Sequence, residues 1–147
     1  MSPPPRLLDT NVISDMMRNL QGVAAQRART ASQTRGSEAL CTSIVVQCEL
    51  EFGLARKSNP RLDVAYRAVM ESVDVLPLGP DVASHYARLR TALEAAGQPM
   101  GANDLLIAAH ALSLNAILVS ADAAFERIPG LQLENWLAPE NTKKTGS

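Results

Sequence analysis

The 147-residue chain is 46% hydrophobic and 20% charged, which fits one globular domain and excludes a disordered one. Its net charge of −1 does not advertise a nucleic-acid binder, and its five aromatic residues (Phe52, Tyr66, Tyr86, Phe125, Trp136) are too few for a base-stacking sheet. Cys41 and Cys48 build no disulfide framework, no apolar run approaches the ~20 residues of a membrane span, and residues 1–5 lack the pattern of a secretory leader. A soluble, cytoplasmic protein without a membrane partner is expected.

After the prolines at 3–5, Arg6-Leu7-Leu8 reads as a buried strand, followed by a helix from about Val12. Residues 21–36 are rich in Ala, Gln and Arg and predict a second helix. No acid stands between Asp15 and Glu38, where Arg18, Arg27, Arg29 and Arg35 fall. A solvated basic helix is the plain reading. Beside a cluster of acids, the same arginines would ease the approach of a polyanion or a protein partner. A strand over 39–43, helices over 44–57 and 60–71, and a strand over 73–76 follow. Pro77 and Pro80 close that strand. A helix over 81–96 ends at Gly97 and Pro99, and a strongly apolar helix spans 105–114. The last elements are a strand over 116–119, a short helix over 122–127 and a strand over 131–136. Alternating strands and helices predict an α/β fold with a mostly parallel sheet covered on both faces. Ligands of such sheets gather at the carboxyl ends of the strands. We see one domain over 1–140 and a polar tail over 141–147.

Phosphate-binding loops, dinucleotide fingerprints, nucleophile elbows and zinc-protease motifs are absent from the sequence. His85 and His110 have no acid or cysteine at ligand spacing and read as satisfied helix histidines. Four acids remain to be explained. Asp9 leaves the first strand, where it would cap the next helix; Asn11 would serve as well. On its helix Glu49 lies within about 60° of Val45, Cys48 and Phe52, so an apolar stripe is expected to surround it, while Glu51 points about 160° away. A carboxylate in such a stripe needs a salt bridge or a cation. Asp104 opens the apolar helix and suits its dipole, and Asp122 follows the strand over 116–119 in a capping position. Glu38 and Glu51 read as solvated charges. If the four converge, ionised pairs ~4 Å apart repel by about 4 kcal/mol at an effective dielectric of 20. Such a cluster takes up protons or binds a cation, and oxygen-only ligands favour Mg²⁺ or Mn²⁺. Mg²⁺ with substrate phosphate is the chemistry of a phosphodiesterase.

Four landmarks occur in order: Leu7-Leu8-Asp9-Thr10-Asn11; Cys48-Glu49-Leu50-Glu51-Phe52-Gly53; Asn103-Asp104-Leu105-Leu106-Ile107-Ala108-Ala109-His110-Ala111; and Leu118-Val119-Ser120-Ala121-Asp122 with 125–131 after it. In these the chain resembles the PIN-domain ribonucleases, and within them the VapC-type toxins of bacterial toxin–antitoxin pairs. The resemblance implies a three-layer α/β/α sandwich with four or five strands. It implies metal-binding acids at Asp9, Glu49, Asp104 and Asp122, oriented by Asn11 and Ser120. It further implies Mg²⁺- or Mn²⁺-dependent RNA cleavage, a homodimer, and silencing by a small antitoxin protein through which operator DNA is bound. A haloacid-dehalogenase-type phosphatase would need a second acid where Asn11 stands. The remaining alternative is a non-catalytic PIN-like scaffold that binds RNA or protein.

Overall fold

The computed structural model describes residues 3–35 and 40–139. Glu38 and the tail over 141–147 lie outside the described residues, as does the side chain of Arg35. In chain order the elements are β1 (Arg6–Leu8), α1 (Thr10–Arg18), α2 (Val23–Arg35), β2 (Leu40–Ser43), α3 (Ile44–Lys57), α4 (Pro60–Met70), β3 (Asp74–Leu76), α5 (Asp81–Ala95), α6 (Ala102–Ser113), β4 (Ile117–Val119), a 3₁₀ turn (Ala123–Arg127) and β5 (Gln132–Glu134).

The five strands form one parallel sheet in the order β3-β2-β1-β4-β5. Leu7 of β1 is in register with Cys41 on one side and Leu118 on the other. The three central strands hold despite their shortness because their apolar residues are buried: Leu7, Leu8, Leu40, Leu118 and Val119 are almost wholly covered, while the edge strands β3 and β5 are only partly so. On the helical layers α1 packs against α2, α3 and α4, and α6 packs against α5 and α3. Among the described residues no helix is long and apolar enough to cross a membrane.

Side chains fix the local boundaries. Asp9 accepts from the Thr10 amide, so α1 starts at Thr10, before the expected Val12. Ser43 caps α3 through the Val45 amide, and Asn59 caps α4 ahead of Pro60, which takes the first helical turn where its missing N–H costs nothing. Gly97, at φ +73°, ends the turn after α5. Helix α6 begins at Ala102, ahead of the expected 105, so Asp104 is an acid of its first turn, where it suits the dipole as expected. The last strand contracts from the expected 131–136 to Gln132–Glu134.

From β1 the chain crosses to β2 on one side of the sheet, while β4 lies on the other. The connections therefore diverge at β1/β4, and a crevice opens at the carboxyl ends of these two strands. Asp9 and Ser120 stand at that point: the Asp9 amide continues the ladder by donating to Val119 (2.9 Å), and the Ser120 amide donates to Glu134 (2.9 Å).

Candidate active site

Asp9 is buried at the mouth of the crevice, only 4% exposed, and three donors hold its carboxylate. The Thr10 amide reaches Oδ1 at 2.8 Å; the Ser120 hydroxyl and the Asn11 amide reach Oδ2 at 2.7 and 3.3 Å. Burial pushes the Asp9 carboxyl above its ordinary range; the Ser120 and Thr10 bonds oppose the rise, and the charges of Glu49 and Asp122 add to it. Asn11 also accepts from the Ala121 amide (3.1 Å), and the Asp122 amide donates to Ser120 (3.0 Å), so the segment after β4 is pinned to the start of α1. Asn11 and Ser120 thus have the orienting positions expected of them. Asp122 accepts from the Ala124 amide (2.9 Å) and caps the 3₁₀ turn, and it too faces Asp9 and Asp104.

Glu49 reaches the same crevice from α3, but the expected apolar stripe around it does not exist. Val45 is buried, whereas Cys48 and Phe52 are exposed, Phe52 to 64%. The buried side of α3 is Val45, Val46 and Leu50, which turns Glu49 to its border. There the Thr10 hydroxyl donates to one Glu49 oxygen and the Asn103 amide to the other (3.1 Å). Glu51 is exposed as expected, and it accepts from the Tyr66 hydroxyl (2.9 Å).

Asp104 completes the set. No donor among the described residues reaches its half-buried carboxylate, and burial, then the charges of Asp9, Asp122 and Glu49, push it up to about 6. The charges of Glu49 and Asp122 thus bear on both Asp9 and Asp104, which places the four acids near one another. Among the described residues, no three acid, histidine or cysteine side chains close on a common point as they would around an ion. Mg²⁺ commonly takes only one or two carboxylates directly and keeps several waters, so it does not need three side chains on one point. An oxygen-only donor set with one undonated carboxylate fits such an ion.

The arginines divide. Arg27 donates to the Asn135 and Ala138 carbonyls (3.2 Å each) and Arg29 to the Leu20 carbonyl (3.2 Å), so both heads serve the fold away from the acids. Of the three whose side chains are described, Arg18 lines a hollow next to Glu49 and Thr10. The sequence reading missed Thr10 and Asn103, although each adjoins a singled-out acid. It also missed Arg56 and Lys57, which line the hollow with Arg18. His110 is a satisfied helix histidine as anticipated, and a buried one, its Nδ1 2.8 Å from the Ser43 hydroxyl.

Known proteins show the same arrangement of chain. The PIN domain family matches residues 6–131. A curated relative, "Ribonuclease VapC1" of Haemophilus influenzae, is 36% identical over 132 residues, covering 88% of this chain and 96% of the relative. Among solved structures, VapBC-1 from nontypeable Haemophilus influenzae superposes with a TM-score of 0.78 at 35% identity, covering 90% of this chain and 98% of that one. VapBC2 from Rickettsia felis, bound to a DNA fragment from their promoter, gives a TM-score of 0.81 at 28% identity, covering 89% and 98%.

Proposed function

The chain belongs to the PIN-domain family, in its VapC branch, and from that premise we propose that it is a Mg²⁺- or Mn²⁺-dependent endoribonuclease acting as the toxin of a toxin–antitoxin pair. One observation supports the reading: the charges of Asp9, Glu49 and Asp122 all bear on the carboxylate of Asp104, and among the described residues no donor relieves it. These four residues would hold the ion. When bound, Mg²⁺ or Mn²⁺ supplies Lewis acidity to the phosphate oxygens and lowers the pKa of water to yield a nucleophile.

The chain's own residues supply position. Ser120, Asn11 and the Thr10 amide fix both oxygens of Asp9, and Thr10 and Asn103 fix both oxygens of Glu49. Neither side chain has to reorganise as charge builds on the phosphate. Asp104, its carboxyl pushed up to about 6, would have to give up its proton to hold a cation, so the affinity of the site would rise with pH. Because water and not the ribose 2′-hydroxyl attacks, products carry 5′-phosphate and 3′-hydroxyl ends.

Cleavage of end-labelled RNA by the purified chain tests this. Activity is expected with Mg²⁺ or Mn²⁺, is lost in EDTA, and falls at least ~100-fold in Asp9→Asn. Undiminished cutting in EDTA, or cyclic phosphate ends, would overturn the mechanism. Inertness towards every RNA tried would favour a binding scaffold. As partners we propose a small antitoxin that covers the crevice and carries the operator-DNA contact, and a second copy of this chain; VapBC complexes, one of them on promoter DNA, support the antitoxin.

A further inference from the structure

We propose that the hollow running from Glu49 past Arg18, Arg56 and Lys57 is the track for the phosphates of a single RNA strand next to the bond being cut. This rests on the nuclease reading above and adds the path of the substrate to it. The hollow is about 240 Å³, below the ~300–1,000 Å³ of sites that enclose small molecules, and it opens directly from Thr10 and Glu49 of the acid cluster. It continues past Arg18 and Leu62 into a shallower trough that reaches Arg61.

Arg18 ends α1, and Arg56 and Lys57 end α3, where cations commonly answer the helix dipole. That role does not explain them here. None of the three donates to a terminal carbonyl, and among the described residues neither they nor Arg61 has a carboxylate partner; Arg56 lies over the Phe52 ring, 5.1 Å from its centre. Unpaired cations in a hollow that leads away from a cluster of acids suit a ligand of uniform negative charge. An acidic protein segment in the hollow would have to turn cationic on reaching Glu49.

Gly53 is a second, independent sign. It sits in the interior of α3, where glycine weakens a helix relative to alanine, and it lines the hollow. A Cβ there would meet no atom within 4 Å, so packing does not require glycine. A low wall does serve a strand that passes close to the helix.

Fluorescence anisotropy of labelled single-stranded RNA, with the full chain carrying Asp9→Asn to prevent cutting, reads the track directly. Replacing Arg18, Arg56 and Lys57 together by Gln is expected to weaken binding at least ~10-fold and to lower the slope of log affinity against log salt by ~2, at about 0.7 per phosphate contact. Gly53→Leu should weaken RNA binding while leaving Tm unchanged or higher, a split that a purely structural glycine would not produce. Arg88→Gln, on an exposed face of α5 outside the hollow, is the control for loss of a single positive charge against each single replacement in the track and should change nothing. With Asp9 restored, the triple variant should raise KM for long RNA and leave cleavage of a dinucleotide intact. RNA binding and salt slope equal to the parent's would overturn the track. So would loss of binding to poly-glutamate with RNA binding unchanged, which would mark a protein-docking groove. If the parent binds RNA through these cations yet cuts none, the nuclease reading fails and the track stands.

Discussion

Each acid in the crevice is held differently, and that difference sets what its replacement should do. Glu49 owes its position to Thr10 and Asn103, neither of which carries charge to lose. Asn103→Ala should therefore lower RNA cleavage about 10–100-fold, the usual cost of losing a group that orients a ligand, with little change in Tm. Glu51→Gln, on the opposite side of α3 and bonded to Tyr66, should stay near the parent's rate. Equal losses would mean that Glu51 shares the site. Asp104 is the reverse case, a carboxyl with like charges around it and no donor among the described residues. Its folded-state pKa of about 6 exceeds the ordinary 3.8, so the folded chain holds the proton more tightly than the unfolded one. The sign follows: without metal, this group costs nothing below about pH 4, and the cost grows as pH rises towards 6. Asp104→Asn should accordingly abolish cleavage and yet raise Tm in EDTA at pH 7.5, with the gain vanishing near pH 4. A Tm below the parent's at pH 7.5 would refute the repulsion.

Helix α3 is tied to two neighbours through one buried imidazole. Ser43, which caps α3, meets His110 Nδ1 at 2.8 Å, and a ring N–H of His110 bonds the Pro77 carbonyl beyond β3. The helices that carry Glu49 and Asp104 are thereby locked to each other at the carboxyl end of the sheet. Burial lowers the His110 pKa and the Pro77 bond partly restores it, so the folded state prefers the neutral ring. The stability from this preference is present above about pH 6.5 and is lost on acidification, opposite in sign to the Asp104 effect. His110→Phe keeps the volume but strands the Pro77 carbonyl, which should cost about 1–3 kcal/mol in urea unfolding and remove that acid-side slope. A variant as stable as its parent would show that the link is idle. The boundaries of α3 were legible in the sequence to the residue, because Ser43 and the run to Lys57 mark them. Its orientation was not: an angular window around Glu49 cannot say which flank the sheet covers, and Val46 and Leu50 outweigh Cys48 and Phe52. Counting forward from Glu49 would have done better, since Gly53 and Arg56, four and seven residues on, share its face.

At the level of the molecule, the order β3-β2-β1-β4-β5 brings together acids separated by up to 113 positions, from Asp9 to Asp122. Alternating elements announced a parallel sheet, but strand order lies in which apolar faces meet, and no local pattern encodes that. The four acids were legible because each sits at a strand exit or near a helix start, ends that face one rim. The cations of the track were hidden because they belong to α1 and α3, which meet only in the fold. A site assembled from residues so far apart in sequence exists only in the folded state, so its ligand should stabilise that state by mass action. Mg²⁺ at one hundred times its Kd adds about 2.7 kcal/mol, roughly 5–10 °C in Tm for a domain of this size. Thermal unfolding of the parent should show that rise and its reversal by EDTA. Asp104→Asn, already relieved of one charge, should start higher and move far less. Equal shifts in parent and variant would place the ion elsewhere on the surface, since an ion gripped by these four acids must feel the loss of the one that no hydrogen bond restrains.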